Sequence, residues 1–213
     1  MSNDLGQIKE AIISGKLKEI ESLVKAAINE YTNLDAIINN AMIAAMDIVG
    51  QKFADNELYI PEMLASAITM KKGLALIKPL FKGQETESNG TIIICTVKGD
   101  MHDISKNLVI MMLEGAGYDV IDLGVDLTVE KLIQQVEEIK PDVLGLSALL
   151  TTTMPEMKNV MEALKDNGMR KSVKVMVGGA PVDATFAEEI GADGYGNDAA
   201  EAVKQARRLI VGN

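Results

Sequence analysis

The densest reactive chemistry in this 213-residue chain lies in Lys98-Gly-Asp-Met-His-Asp-Ile-Ser-Lys-Asn107, which holds its only histidine. An imidazole that binds a metal usually donates its other ring N–H to a carboxylate, which fixes tautomer and orientation. Asp100, two residues before His102, suits that task, and Asp103 suits the cap of a following helix. The plainer alternative makes both acids helix-start residues facing solvent. A second candidate segment, Ser147-Ala-Leu-Leu-Thr-Thr-Thr153, clusters hydroxyls that can serve a ligand, the Asp–His pair or a helix N-terminus. A third is Gly178-Gly179, where missing side chains allow a close backbone approach or positive φ. A single His and a single Cys, Cys95, exclude a structural zinc site and an internal disulfide framework.

These segments acquire meaning from the elements that must carry them. After Gly90, short apolar runs at 91–97, 119–122, 143–146, 173–177 and, more weakly, 193–195 alternate with helical patterns at 104–115, 129–139, 157–164, 186–190 and 199–210. That alternation predicts an α/β domain with a five-stranded parallel sheet covered on both faces, a flavodoxin-like (Rossmann-type) doubly wound fold. Such folds bind ligands at the carboxyl ends of their strands. The three segments follow the first, third and fourth runs, the places where that rule puts chemistry.

Before residue 84 the spacing is helical. Leu5, Ile8 and Ile12 form one stripe, and Leu17, Ile20, Val24 and Ile28 another after Ser14-Gly15. Leu34, Ile37, Ile38, Met42, Ala45, Met46 and Val49 form a third with Asn33 as N-cap, and a fourth helix starts at Pro61. The expected organisation is an N-terminal four-helix bundle cap at 1–84, a polar linker at 85–90 and the α/β domain at 91–213. Cys95, inside the first strand, is expected in the core.

Composition narrows the function. A formal charge of -10, from 21 basic and 31 acidic residues, disfavours a broad nucleic-acid surface. No apolar run approaches the roughly 20 residues of a membrane span, and Met1 to Glu10 mixes charge signs unlike a signal peptide. A reducing cytoplasmic location is expected. Familiar occupants of the α/β fold can also be tested. A phosphoacceptor domain requires an Asp where the third strand instead ends in Gly145-Leu146-Ser147. A flavin-phosphate loop is rich in hydroxyls, whereas this first loop is charged. Gly-x-Gly-x-x-Gly is absent after the first strand.

Together, Asp100-x-His102-x-x-Ser105, Ser147-x-Leu149 and Gly178-Gly179 resemble the signature Asp-x-His-x-x-Gly, Ser-x-Leu, Gly-Gly of cobalamin-binding proteins, in the same order and after the same strands. The segment Leu58-Tyr-Ile-Pro-Glu-Met-Leu-Ala-Ser-Ala-Ile-Thr-Met70 resembles the fourth helix of the methyl-cobalamin cap. The resemblance spans nearly the whole chain and points to the corrinoid methyl-carrier proteins, related to the cobalamin module of methionine synthase. It implies cobalamin, or methylcobalamin when loaded, with His102 as lower axial ligand to cobalt in place of the detached benzimidazole. It also implies a relay of Asp100 and Thr153 behind that ligand, with Asp103, Ser105 and Thr151 in the cofactor-binding loops. Ser147 and Leu149 would line the slot for the benzimidazole tail, and Gly178 and Gly179 would leave it room. A corrin brings four equatorial nitrogens, so a single protein ligand is enough.

Ser105 stands where the signature has Gly and adds a Cβ and a hydroxyl to that loop. The 13 methionines have two readings: Met42, Met46, Met63 and Met70 pack the bundle, or Tyr59, Met63 and Met70 cover the upper corrin face as a lid. The implied function is carriage of a methyl group between a substrate-specific methyltransferase and a second, acceptor-side methyltransferase serving a pterin (tetrahydrofolate type) or thiol. A reductive activase is a further implied partner, and no nucleic acid or membrane is expected. Methanol, methylamines, betaines and methoxyaromatics are all conceivable donors. The alternative is a cobalamin-responsive sensor without methyl transfer, which would ordinarily carry an output domain; only Gly212-Asn213 follow the last expected helix.

Overall fold

The computed structural model describes residues 3–30, 34–80 and 88–212. The chain divides into two compact units, Met1–Glu87 with Glu114–Gly117, and Ser88–Leu113 with Tyr118–Asn213. Asn33 and residues 85–87 of the expected linker lie outside the described residues.

The first unit is helical. Helices α1 (Asn3–Ile13) and α2 (Ile20–Glu30) bury the stripes Ile8, Ala11, Ile12 and Ile20, Val24, Ala27. Leu17, expected to open the second stripe, instead lies in the turn before α2 and is 40% exposed. The expected third helix is interrupted: α3 (Leu34–Ile37) passes into a π-helical stretch, Ile38–Ile43, and then α4 (Ala44–Ala54). The buried pair Ile37 and Met42 is five residues apart, the repeat of a π turn, so the insertion keeps both on the inner face. Helix α5 (Ile60–Ile77) has Pro61 in its first turn, where the missing N–H is not needed. It buries Met63, Ser66, Ala67, Met70, Gly73 and Ile77. A Cβ at Gly73 would lie 2.7 Å from the Met42 side chain and 3.1 Å from that of Ile20, so this helix crosses its neighbours closely.

The second unit is a five-stranded sheet in the order β2-β1-β3-β4-β5, with every pairing parallel. The strands are β1 (Thr91–Thr96), β2 (Asp119–Asp122), β3 (Val143–Ser147), β4 (Lys174–Gly178) and β5 (Gly194–Gly196). They alternate with α6 (Ile104–Gly115), α7 (Val129–Ile139), α8 (Met154–Asp166), α9 (Ala184–Ile190) and α10 (Ala199–Val211). The interior strand β1 is buried at Ile92, Ile93, Ile94, Cys95 and Thr96, as a strand covered on both faces must be. The order places the switch in chain direction between β1 and β3, so the loops leaving those two strands flank one crevice.

Burial pushes the Cys95 thiol up to about 12, with the nearby Lys106 opposing and Asp122 adding. A thiol kept protonated is inert. Cys95 is therefore expected to resist alkylation by iodoacetamide in the native protein and to react stoichiometrically once denatured, as mass spectrometry would record.

Candidate functional site

The Asp100 side chain is wholly buried beyond the end of β1, and both of its carboxylate oxygens accept hydrogen bonds. Its Oδ1 accepts the His102 backbone N–H at 3.0 Å and lies 2.7 Å from His102 Nδ1. Its Oδ2 accepts the Leu149 N–H at 2.7 Å, the Leu150 N–H at 3.3 Å and the Thr153 hydroxyl at 2.9 Å. Burial alone would push this carboxyl up. The donors from Leu149, His102 and Thr153 outweigh it and hold the group well below the usual carboxylate range.

An ionised Asp100 is only an acceptor, so Nδ1 of His102 is the protonated nitrogen facing it, and in the neutral ring Nε2 is the one with a lone pair. The His102 side chain is 51% exposed. A buried anion thus fixes the tautomer of a half-exposed imidazole and leaves one nitrogen able to ligate.

Thr153 is where α8 begins, yet its hydroxyl makes no capping bond. That hydroxyl has one proton and two acceptors at equal distance, Asp100 Oδ2 and the Leu150 carbonyl, each at 2.9 Å. The helix-cap alternative for this residue is therefore set aside: the side chain serves the acid.

Other predicted residues lie nearby in less direct roles. Asp103 is exposed, and its carboxylate accepts the Asn107 side-chain amide at 3.1 Å while its carbonyl accepts the Asn107 N–H. Ser105 is exposed in the first turn of α6. Ser147 ends β3 opposite Thr96 and Gly178, and Thr151 is exposed. Among the described residues, the partners of the Asp100 carboxylate are His102, Leu149, Leu150 and Thr153; Ser147 and Thr151 are outside that network. Gly178 and Gly179 answer first to their own chain. A Cβ on Gly178 would lie 2.9 Å from the Gly196 carbonyl oxygen, and one on Gly179 only 1.8 Å from that of Ala148. Met63 and Met70 are 0% and 1% exposed on the inward face of α5, where they pack as core, whereas Tyr59 is 69% exposed.

Sequence reasoning missed several contributors. The buried Thr96 donates its hydroxyl to the His102 carbonyl at 2.8 Å. A hydroxyl closing the apolar run Ile92–Cys95 was the available signal. Leu149 and Leu150 act through backbone N–H groups, which no residue type announces. Met101 and Leu150, in the loops after β1 and β3, and Ile104, which opens α6, are apolar side chains 68%, 41% and 85% exposed. Lys106 is buried and pairs with Asp122 at 2.6 Å.

Comparison with known proteins gives two family matches, each described as a B12 binding domain, over residues 90–204 and 5–78. A corrinoid protein of Desulfitobacterium hafniense is 40% identical over 209 residues, 97% of both chains. Dimethylamine corrinoid protein 2 of Methanosarcina acetivorans is 39% identical, over 98% of this chain and 96% of that one. A crystal structure of a cobalamin-binding protein from D. hafniense superposes with a TM-score of 0.81 at 30% identity, covering 96% of this chain and 98% of that one. A chain in the methanol:cobalamin methyltransferase complex of Methanosarcina barkeri gives 0.88 at 31% identity, covering 100% of this chain and 81% of that one.

Proposed function

This chain belongs to the corrinoid proteins, the cobalamin-binding methyl carriers, and from that premise we propose that His102 is the lower axial ligand to cobalt and Asp100 with Thr153 its proton relay. The residues present fit such a group. The donor set is one neutral imidazole nitrogen backed by an ionised carboxylate, the arrangement that raises ligand basicity. Exposed Met101, Ile104 and Leu150 offer apolar footing to a macrocycle.

When bound, the corrinoid supplies a metal centre that accepts and releases a methyl group. The chain's own residues orient and hold a proton. Asp100 keeps the Nδ1 proton of His102 in place. Thr153 can turn its single hydroxyl proton from Asp100 Oδ2 to the Leu150 carbonyl with no change in bond length. Each turn alters how strongly Asp100 holds the imidazole proton, and with it the donor strength of Nε2. Ser147 and Leu149 would line the slot for the benzimidazole tail, Gly178 and Gly179 would leave it room, Thr151 would stand in a cofactor-binding loop, and Tyr59, Met63 and Met70 are the lid candidates.

The partners proposed are a substrate-side methyltransferase acting on a methylated amine or methanol, an acceptor-side methyltransferase serving a pterin or thiol, and a reductive activase. Similarity to the dimethylamine corrinoid protein and to the methanol complex supports the first of these. Among the described residues no helix is long and apolar enough to cross a membrane. The lone buried thiol supports a reducing, cytoplasmic setting. Residues 1–84 are proposed as a cap domain and 91–213 as the cofactor domain, joined by the linker at 85–90.

The observation that carries this reading is the 2.7 Å contact between His102 Nδ1 and the buried Asp100. His102→Ala is expected to cost the cobalamin-free fold about 1 kcal/mol, since one side-chain hydrogen bond is lost from a half-exposed ring. The same variant should retain cobalamin more weakly, with a changed absorption spectrum of the Co(III) form. An unchanged spectrum sinks the axial assignment.

A further inference from the structure

We infer that Asp126 is a positioning residue for His102, clamping the loop that carries it from the neighbouring β2–α7 loop; this rests on His102 being the axial ligand. Asp126 Oδ1 accepts the Gly99 N–H at 2.7 Å, and the Asp126 N–H donates to the Asp100 carbonyl at 3.0 Å. One residue thereby ties down two successive positions of the β1–α6 loop, the second of which is the acid behind the imidazole.

Both sides of the clamp have left-handed backbone, φ +53° at Asp126 and +81° at Gly99. A non-glycine residue holds positive φ only where its surroundings impose it, and Asp and Asn tolerate it best. Asp126 is exposed, so burial does not impose it. The bonds to Gly99 and Asp100 do, together with the pairing beside them. Leu127 donates its N–H to the Thr96 carbonyl at 3.2 Å, and Thr96 donates its own to the Gly124 carbonyl at 3.0 Å. The loop 124–127 thus lies alongside the end of β1, and Val97 bridges Leu127.

From the same strand end, the Thr96 hydroxyl holds the His102 carbonyl at 2.8 Å. The His102 segment is therefore fixed at three successive points: Asp126 on Gly99 and Asp100, the Asp100 carboxylate on His102 Nδ1, and Thr96 on the His102 carbonyl. Slack in the first point moves Asp100, and with it the ring.

Three substitutions separate the parts of the clamp. Asp126→Ala removes both the acceptor and the tolerance of positive φ; Asp126→Gly removes only the acceptor; Asp126→Asn retains both. Because the chain has one histidine, its ring nitrogens give two unambiguous ¹⁵N resonances in the cobalamin-free full chain, read in alkaline buffer where imidazole is neutral. Wild type and Asp126→Asn are expected to hold the Nδ1–H tautomer, and Asp126→Gly and Asp126→Ala to shift toward Nε2–H. With cobalamin, Asp126→Ala should bind on the order of tenfold more weakly, its Co(III) spectrum moving toward that of His102→Ala. A lowered melting temperature with unmoved ring resonances means a merely structural role and overturns the inference, as does wild-type behaviour in all three variants. If His102→Ala leaves the Co(III) spectrum unchanged, the axial reading fails, and the cobalamin-free resonances still decide whether Asp126 sets the ring.

Discussion

Asp100→Ala is expected to lose about 4 kcal/mol of folding stability, the range reached when a buried hydrogen-bond network is broken. The wild-type carboxylate satisfies four donors besides the imidazole: the N–H groups of His102, Leu149 and Leu150 and the Thr153 hydroxyl. Alanine leaves them without the carboxylate in a partly buried site, and the hydroxyl retains another acceptor, the Leu150 carbonyl. Asp100→Asn keeps one acceptor oxygen but turns an NH₂ toward donors, so a loss of about 2 kcal/mol is expected. The imidazole is released from its tautomer in both, and cobalamin binding should fall with it.

The acid dependence follows from sign. The folded Asp100 carboxyl lies below its ordinary value, so as pH falls the unfolded chain takes up the proton first. The stabilisation is complete above the ordinary carboxylate value of about 4 and is lost as pH falls below it toward the depressed folded value. Denaturant unfolding of wild type and Asp100→Ala should therefore differ most near neutrality and converge as the solution is acidified below about pH 4. A gap independent of pH would show that the charge of Asp100 contributes nothing.

Gly179→Ala is expected to cost a comparable amount, about 4 kcal/mol, from two additive sources: overpacking of about 1–3 kcal/mol and backbone strain of similar size. Its φ is +133°, which side-chain-bearing residues rarely adopt. The added Cβ would sit 1.8 Å from the Ala148 carbonyl oxygen, 2.8 Å from its carbon and 3.1 Å from its nitrogen. All three are backbone atoms, so no side chain can rotate away. Ala148 immediately precedes the Leu149 N–H that donates to Asp100, so the displacement should reach the acid and the imidazole as well as the fold. Gly178→Ala is the control. Its Cβ would meet only the Gly196 carbonyl oxygen at 2.9 Å, without positive φ, so about 1–2 kcal/mol is expected. Equal melting temperatures for the two variants would refute this ranking.

The doubly wound sheet was legible because a strand buried on both faces must be apolar throughout, as Ile92–Cys95 is, while amphipathic helices alternate with it. The irregularities were less legible. Leu17 fits a helical stripe by spacing, yet the left-handed Gly15 (φ +61°) and the turn after it delay α2 to Ile20. The π stretch at Ile38–Ile43 leaves a stripe that still reads as an ordinary helix, because one inserted residue shifts the spacing only from four to five. Met63 and Met70 could be read as lid or core from type alone. In the structure both side chains are buried.

What the chain order determined by itself was which groups could act: a lone imidazole beside an acid, hydroxyls after the third strand and paired glycines after the fourth, on a fold whose strand ends collect ligands. What only the tertiary structure decided was the state of those groups. Three of the donors to the Asp100 carboxylate come from residues 49, 50 and 53 positions further along the chain, two of them backbone amides. Every residue but proline carries such an amide, so residue type gives no sign of it. Only the parallel pairing of β1 with β3 brings those amides to the acid, and through the acid sets which nitrogen of His102 is free to bind.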